Sequence, residues 1–246
     1  MLKKFAMLSV LLVGGLFAAT NMNAQVKKAP VKKKVTVVKK KTTTFKPPVI
    51  KMIPGTRVRV TTDSGVIVLR LYDKTPQHRD NFIKLVNEHF YDSLLFHRVI
   101  STFMIQGGDP QSKNAPAGTM LGNGDVGYTI PAEFDTTLFH KRGALAAARD
   151  NNPAKASSGC QFYIVQGKQY SDADLDMMEQ RMGFKFSPLK RIAYKTVGGT
   201  PFLDMNYTVF GEVESGFEVI DKIATVPKDG TDRPLGDVRM KMEIIK

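Results

Sequence analysis

Arg98 stands in the run Phe96-His97-Arg98-Val99-Ile100-Ser101-Thr102-Phe103-Met104-Ile105-Gln106-Gly107-Gly108-Asp109, one guanidinium and one carboxamide among large apolar side chains. A guanidinium stays protonated at any usable pH and offers five donors and no acceptor. Arg98 can therefore hold or polarise a neutral group, but it cannot serve as a general acid or base. Strand alternation predicts Phe96, Arg98 and Ile100 on one face and, past a bend at Ser101-Thr102, Met104 and Gln106 together on another. Around this run, other chemistries find little support. Cys160 is the only cysteine, so no intramolecular disulfide can form, and its flanks Gly159 and Gln161-Phe162-Tyr163-Ile164 read as a strand holding a small buried hydrophobe. His97 reads as either a strand histidine or a contact residue, with no proton transfer assigned to it. No acid or nucleophile is placed with His97 or Cys160 in a triad-like context, which argues against a hydrolase. His78, His89, His97 and His140 are scattered without metal-ligand spacing, and Gly122-Asn123-Gly124, with no following helix, reads as a turn rather than a phosphate loop. Asp109 reads as a turn residue after Gly107-Gly108. No metal, nucleotide or other cofactor is expected.

The elements that must position these residues are short. Arg57-Val58-Arg59-Val60-Thr61, a turn at Asp63-Ser64-Gly65, and Val66 to Tyr72 read as a hairpin. Thr75-Pro76 predicts a helix start with threonine as N-cap; Phe82, Leu85, Val86 and His89 give it one apolar-leaning face. Strands are expected at about 94–100, 103–107, 127–130, 144–148, 160–166 and 207–213, a second helix over 217–224, and a last strand over 238–245. Many short strands with two helices argue a mainly β chain folded as a closed antiparallel barrel. Between Gly167 and Gly199 the chain carries a further amphipathic helix: Ser171 and Asp174 form a capping-box-like pair, and Leu175, Met178 and Met182 share a face. Those methionines are expected to pack on the barrel wall; the alternative is a methionine-rich lip for unfolded chains.

The 246 residues carry a formal net charge of +13. Residues 1–52 hold 12 lysines and no acid, which leaves +1 for the rest, so the basic character belongs to the N-terminal segment. It is no evidence that the folded part binds nucleic acid. Lys3 and Lys4, an apolar run from Phe5 to Ala19 and small residues up to Ala24-Gln25 read as a signal peptide over 1–24, too short and interrupted to anchor in a membrane. Residues 25–53 have no period that could build a core and read as an extended lysine-rich linker, a bland spacer or an electrostatic contact with an anionic envelope surface. A folded domain is expected over 54–246, with a helical insertion at about 168–200.

The run from Phe96 to Asp109, with Gly143-Ala144-Leu145-Ala146-Ala147-Ala148-Arg149, Ser158-Gly159-Cys160-Gln161-Phe162-Tyr163-Ile164 and Thr208-Val209-Phe210-Gly211-Glu212-Val213, closely resembles the cyclophilin family of peptidyl-prolyl isomerases. The resemblance covers roughly residues 56–245 and rests on four blocks in the family's order. It implies an eight-stranded closed antiparallel barrel with a helix over each end, and an enzyme that turns Xaa-Pro bonds. Such bonds exchange slowly because the nitrogen lone pair is shared with the carbonyl; in the twisted state that nitrogen becomes basic, so a fixed N–H donor binds it better than the planar amide. Arg98 is the expected donor. Phe103, Met104, Phe162 and Leu203 are expected as apolar walls for the proline ring. By resemblance, Gln106 positions the substrate backbone, the main chain near Arg149 pairs with the residue before proline, Gln161 and Ala148 line the neighbouring groove, and His97 sits at the pocket edge.

Three positions depart from the best-known eukaryotic pattern: Phe202 where tryptophan is common, Tyr207 where histidine is common and Arg149 where asparagine is common. The first two resemble bacterial members, and loss of the indole donor implies weak inhibition by cyclosporin. The expected role is assistance to the folding of exported, proline-containing polypeptides, by a monomer in the periplasm or, alternatively, secreted. A peptide-holding module without turnover would use the same groove, and a structural envelope protein would use the lysine-rich segment.

Overall fold

The computed structural model describes residues 55–245; the expected signal peptide (1–24) and the whole lysine-rich linker (25–53) lie outside the described residues. The elements run β1 (Arg57–Thr62), β2 (Gly65–Leu71), α1 (Pro76–Asn87), β3 (Phe96–Ile100), β4 (Met104–Gly107), β5 (Thr129–Ile130), β6 (Ala144–Ala147), β7 (Ser157–Ser158), β8 (Phe162–Val165), α2 (Asp172–Met182), α3 (Pro188–Thr196), β9 (Val209–Ser215), α4 (Phe217–Ala224) and β10 (Met240–Ile245). Eight strands form one antiparallel sheet in the order β10-β1-β2-β9-β6-β8-β4-β3, and β5 with β7 form a separate ribbon. The sheet curls until its edges meet at one bridge, Leu95 with Arg239. There the Phe96 N–H donates to the Val238 carbonyl and the Met240 N–H to Leu94, both at 2.9 Å. The edges join by that short pairing rather than by a full ladder.

Alternation along the strands separates two apolar faces. Val60, Ile67, Leu69, Phe96, Ile105, Leu145, Phe162, Ile164 and Met240 point inward and form the core, closed by Phe82 and Leu85 of α1 and by Val219, Ile220 and Ile223 of α4. Met104, Ala146, Tyr163, Val165 and Val209 point the other way and form a second cluster with Phe103, Leu203 and Tyr207. This outer cluster is the one near Arg98.

The first helix departs from expectation at both ends. Thr75 precedes it, but its hydroxyl turns to the Tyr72 carbonyl and makes no cap bond. The Glu133 carboxylate, arriving from a distant loop, accepts from the Gln77 and His78 N–H groups instead, placing a negative charge at the positive end of the helix. His89 lies past the helix, at φ +55 and largely exposed, so it is not on the buried face.

The insertion between β8 and β9 holds two helices rather than one. The Ser171–Asp174 capping box forms as the sequence suggests, and Gly183 ends α2 in the left-handed conformation. The second helix, α3, has its own signal in Ser187-Pro188, an N-cap followed by proline at the first turn. Leu175, Met178 and Met182 pack with Tyr170, Phe186 and Tyr194 in a small separate core that Phe139, from outside the insertion, also joins. They are neither spread on the barrel wall nor turned out as a lip. Among the described residues no helix is long and apolar enough to cross a membrane.

Candidate active site

The hairpin of β3 and β4 sets Arg98 directly opposite Gln106 and Ile100 opposite Met104, so all four share a face. The expected separation of Arg98 from Gln106 onto different faces is therefore corrected. Direct pairing across the hairpin puts the two on one face, and a register shift at His97 instead parts Phe96, which goes into the core, from Arg98, which emerges on the outer face. Ser101-Thr102 makes the bend, with Thr102 at φ +63. The Gln166 carboxamide accepts from its N–H at 2.6 Å.

A directed chain of amides fixes the guanidinium. Gln161 Nε2 donates to the carbonyls of Gly122 and Gly124, at 2.9 and 2.7 Å. Its Oε1 is thereby left to accept from Gln106 Nε2 at 3.0 Å, which turns Gln106 Oε1 toward Arg98 NH1 at 3.5 Å. On the opposite edge Asp232 approaches Arg98 Nε at 3.8 Å and is itself held by Lys228 at 2.6 Å. Arg98 keeps 43% of its side-chain surface open, so it is aimed without being used up. The loop that takes the Gln161 bonds is pinned in turn by Asp109, which does more than make a turn: fully buried, it accepts from the N–H groups of Gln111 and Gly122, and more loosely from Gly124. Position 124 must be glycine, since a Cβ there would lie 2.1 Å from Asp109 Oδ1.

On the same face as Arg98, Phe103, Met104, Leu203 and Tyr163, with Tyr207 packed against them, form the outer apolar cluster that is the candidate proline slot. Phe202, 44% exposed, lies tilted against Phe103 with ring centroids 5.8 Å apart, at the rim. Phe162 is not part of the slot. It packs edge-on to Phe82, Tyr91 and Phe96 inside the barrel. Its neighbour Tyr163 takes that place, and alternation carried the signal, since Tyr163 and not Phe162 shares a face with Gln161. Register agrees, with Gln106 opposite Tyr163 and Gly107 opposite Phe162.

Gln106, Ala148, Arg149 and Gln161, with Gly122, Gly124 and Tyr128, line an adjoining groove of about 720 Å³. The Arg149 side chain is committed elsewhere. Nε donates to the Asn206 carbonyl at 2.9 Å, NH1 to that of Asp150 at 2.8 Å, and the guanidinium lies 4.8 Å over the Tyr207 ring. His97 is not at the pocket edge: only 3% exposed, it sits near Gly122, where an added Cβ would be 3.6 Å from its Nε2. Neither of its ring nitrogens has a hydrogen-bond partner, and burial lowers its pKa to about 4. At neutral pH it is an uncharged filler. Burial likewise pushes the Cys160 thiol up to about 11, which removes it as a nucleophile.

A barrel that holds a cationic donor beside an apolar slot suits a reaction needing neither nucleophile nor base, such as rotation about a peptide bond. Comparison with known proteins agrees: residues 57–244 match the family model "Cyclophilin type peptidyl-prolyl cis-trans isomerase/CLD". The chain belongs to the cyclophilin family and is a peptidyl-prolyl cis-trans isomerase. Similar curated proteins, named as peptidyl-prolyl cis-trans isomerases, occur in Staphylococcus haemolyticus (33% identical, 74% of this chain and 87% of the relative) and Staphylococcus aureus (34%, with the same coverage). A protein of Streptococcus pyogenes named as a bifunctional phosphatase/peptidyl-prolyl cis-trans isomerase is 38% identical over 75% of this chain, which spans only 37% of that relative's length. The fold resembles a cyclophilin-type isomerase of Cryptosporidium parvum crystallised in the presence of the dipeptide Ala-Pro. That match has a TM-score of 0.56 at 22% identity and covers 77% of this chain and 99% of the other.

Proposed function

We propose that Arg98 catalyses rotation of Xaa-Pro bonds by donating a hydrogen bond to the prolyl nitrogen as the amide twists. The observation that carries this reading is the amide chain from the Gly122–Gly124 carbonyls through Gln161 and Gln106 to Arg98, which presets the guanidinium beside the apolar slot. In the planar amide the nitrogen lone pair is delocalised and accepts poorly. In the twisted state it is localised, so the same donor stabilises that state selectively. Phe103, Met104, Tyr163 and Leu203 hold the ring without competing hydrogen bonds, while Gln106, Ala148, the main chain near Arg149 and Gln161 accommodate the chain on either side. The reaction moves no proton, which suits an arginine that never titrates.

The physiological reading is export. The N-terminal pattern of two lysines, an apolar run and small residues supports a cleaved signal, and the monomeric enzyme would then act in the periplasm, or outside the cell, on exported proline-containing polypeptides. The lysine-rich segment supports attachment to an anionic envelope surface. The test of the catalytic reading is cis-to-trans exchange of an Ala-Pro-Phe-type peptide with the wild-type protein and Arg98→Ala. A loss of about a hundredfold in kcat/KM is expected. Binding without acceleration by the wild type would contradict it and favour a holding module.

A further inference from the structure

The helical insertion is left over by this account, yet it reaches the slot through buried polar groups. Tyr163, one of the slot walls, meets His140 Nε2 with its hydroxyl at 3.0 Å, and its ring stacks with the imidazole at a centroid distance of 6.1 Å. His140 Nδ1 meets Asp204 Oδ1, also at 3.0 Å, and the His140 backbone N–H donates to the same oxygen. Since a carboxylate only accepts, Nδ1 donates to Asp204, and Nε2 and the Tyr163 hydroxyl share one hydrogen bond. Asp204 is 1% exposed and directly follows the 3-10 turn Pro201–Leu203 that carries Phe202 and Leu203, so one carboxylate is tied to both sides of the slot.

An anion so deeply buried needs a counter-charge and satisfied oxygens. The counter-charge of Lys190 and one further donor to Oδ1 come from α3, in the insertion. Lys190 Nζ donates to Asp204 Oδ2 at 2.9 Å and the Tyr194 hydroxyl to Oδ1 at 2.9 Å. Lys190 is itself buried, and its ammonium lies 5.3 Å over the ring of Phe139, the residue before His140. These two residues sit at i and i+4, so α3 turns its polar pair inward while Leu189 and Ile192 face solvent. A helix whose buried face carries a lysine and a tyrosinyl hydroxyl is built around the carboxylate it meets. Generic apolar packing would place Leu189 and Ile192 on that face.

We infer that Lys190 is a positioning residue for the isomerase slot, acting through Asp204 and His140 on the Tyr163 wall, and that the insertion serves to deliver it. The inference rests on the slot assignment above. Because the proline ring is gripped in both planar and twisted states, a loosened wall raises KM and leaves kcat nearly unchanged. The experiment measures kcat and KM for an Ala-Pro-Phe-type peptide with Lys190→Met, Lys190→Arg, Tyr163→Phe, Tyr163→Ala and the double variant Lys190→Met/Tyr163→Phe. Lys190→Met is expected to raise KM about fivefold, Lys190→Arg to restore it, and the double variant to be no worse than Tyr163→Phe, because both changes cut one chain. An unchanged KM in folded Lys190→Met, or fully additive effects in the double variant, would overturn the link. If Lys190→Met does not fold, Tyr163→Phe reads the same chain from its other end, and an unchanged KM there overturns it too. A raised KM in Tyr163→Ala with none in Lys190→Met sinks the link alone. No change in Tyr163→Ala sinks the slot assignment and the inference with it.

Discussion

At the scale of single residues, the site works by fixing directions. Every amide in the chain from Gly124 to Arg98 has its donor and acceptor ends determined by the one before it, so Gln161→Ala would free Gln106 to flip and Arg98 to wander. His97 shows the opposite use of a polar residue. Its imidazole is lowered to about 4 chiefly by burial, with Asp109 opposing and Arg98 assisting, whereas an unfolded chain protonates it near 6.5. Between those values the unfolded state binds more protons, so stability declines as pH falls from about 6.5 to about 4 and this contribution then levels off; the whole span is worth roughly 3 kcal/mol. His78, also lowered by burial against the opposing pull of Glu133, acts in the same direction. Urea midpoints at pH 7 and pH 4.5 should therefore differ, and His97→Met should shrink the difference; equal midpoints in the wild type would contradict the burial argument. Residue types pointed to Arg98 and Met104 as candidates, and the family resemblance to Gln106 and Gln161. They misplaced Phe162 and His97 because a one-residue bulge and the parity of a strand decide which side chain looks outward, and neither is visible in composition.

At the scale of elements, most strands, the span of α4 and the start of α2 were the legible part. The hairpin of β1 and β2, the span of α4 and the Ser171–Asp174 box all follow from local signals: alternation, turn residues and capping chemistry. What was not legible depends on distant partners. Thr75 has the right type for a cap but is displaced by Glu133, 58 residues further along, and β7, the partner of β5, is too short to show a period. The methionine face of α2 was readable as apolar, but not what would cover it, which is a tyrosine and a phenylalanine from the segment beyond. Because that small core stands on α2 and α3, its caps matter. Ser171→Ala should cost about 1 kcal/mol, read as a shift in the thermal midpoint, with Ser171→Thr much closer to wild type. An unchanged midpoint in Ser171→Ala would mean that the insertion does not unfold with the barrel.

At the scale of the whole molecule, charge and catalysis are separable along the chain. The folded region is close to neutral and the lysines concentrate before it. Deleting residues 25–53 should leave peptide isomerisation unchanged and abolish salt-sensitive sedimentation with vesicles rich in anionic lipid; sedimentation that persists after the deletion would remove the attachment role. The barrel itself contributes rigidity, since the two faces of β4 and β8 are shared between a dry core and the slot. A displacement of the inner residues Ile105 or Phe162 would be felt by Gln106 and Tyr163 one residue away. Catalysis by this fold turns on Arg98 preferring the twisted amide over the planar one. The direct measurement is the cis-trans interconversion rate of a peptide while bound, by NMR line shape, alongside its dissociation constant, for wild type and Arg98→Ala. In Arg98→Ala the bound-state rate should fall about a hundredfold with affinity changed by less than about threefold. An unchanged bound-state rate with weakened affinity would make Arg98 a clamp on the ground state and contradict that preference.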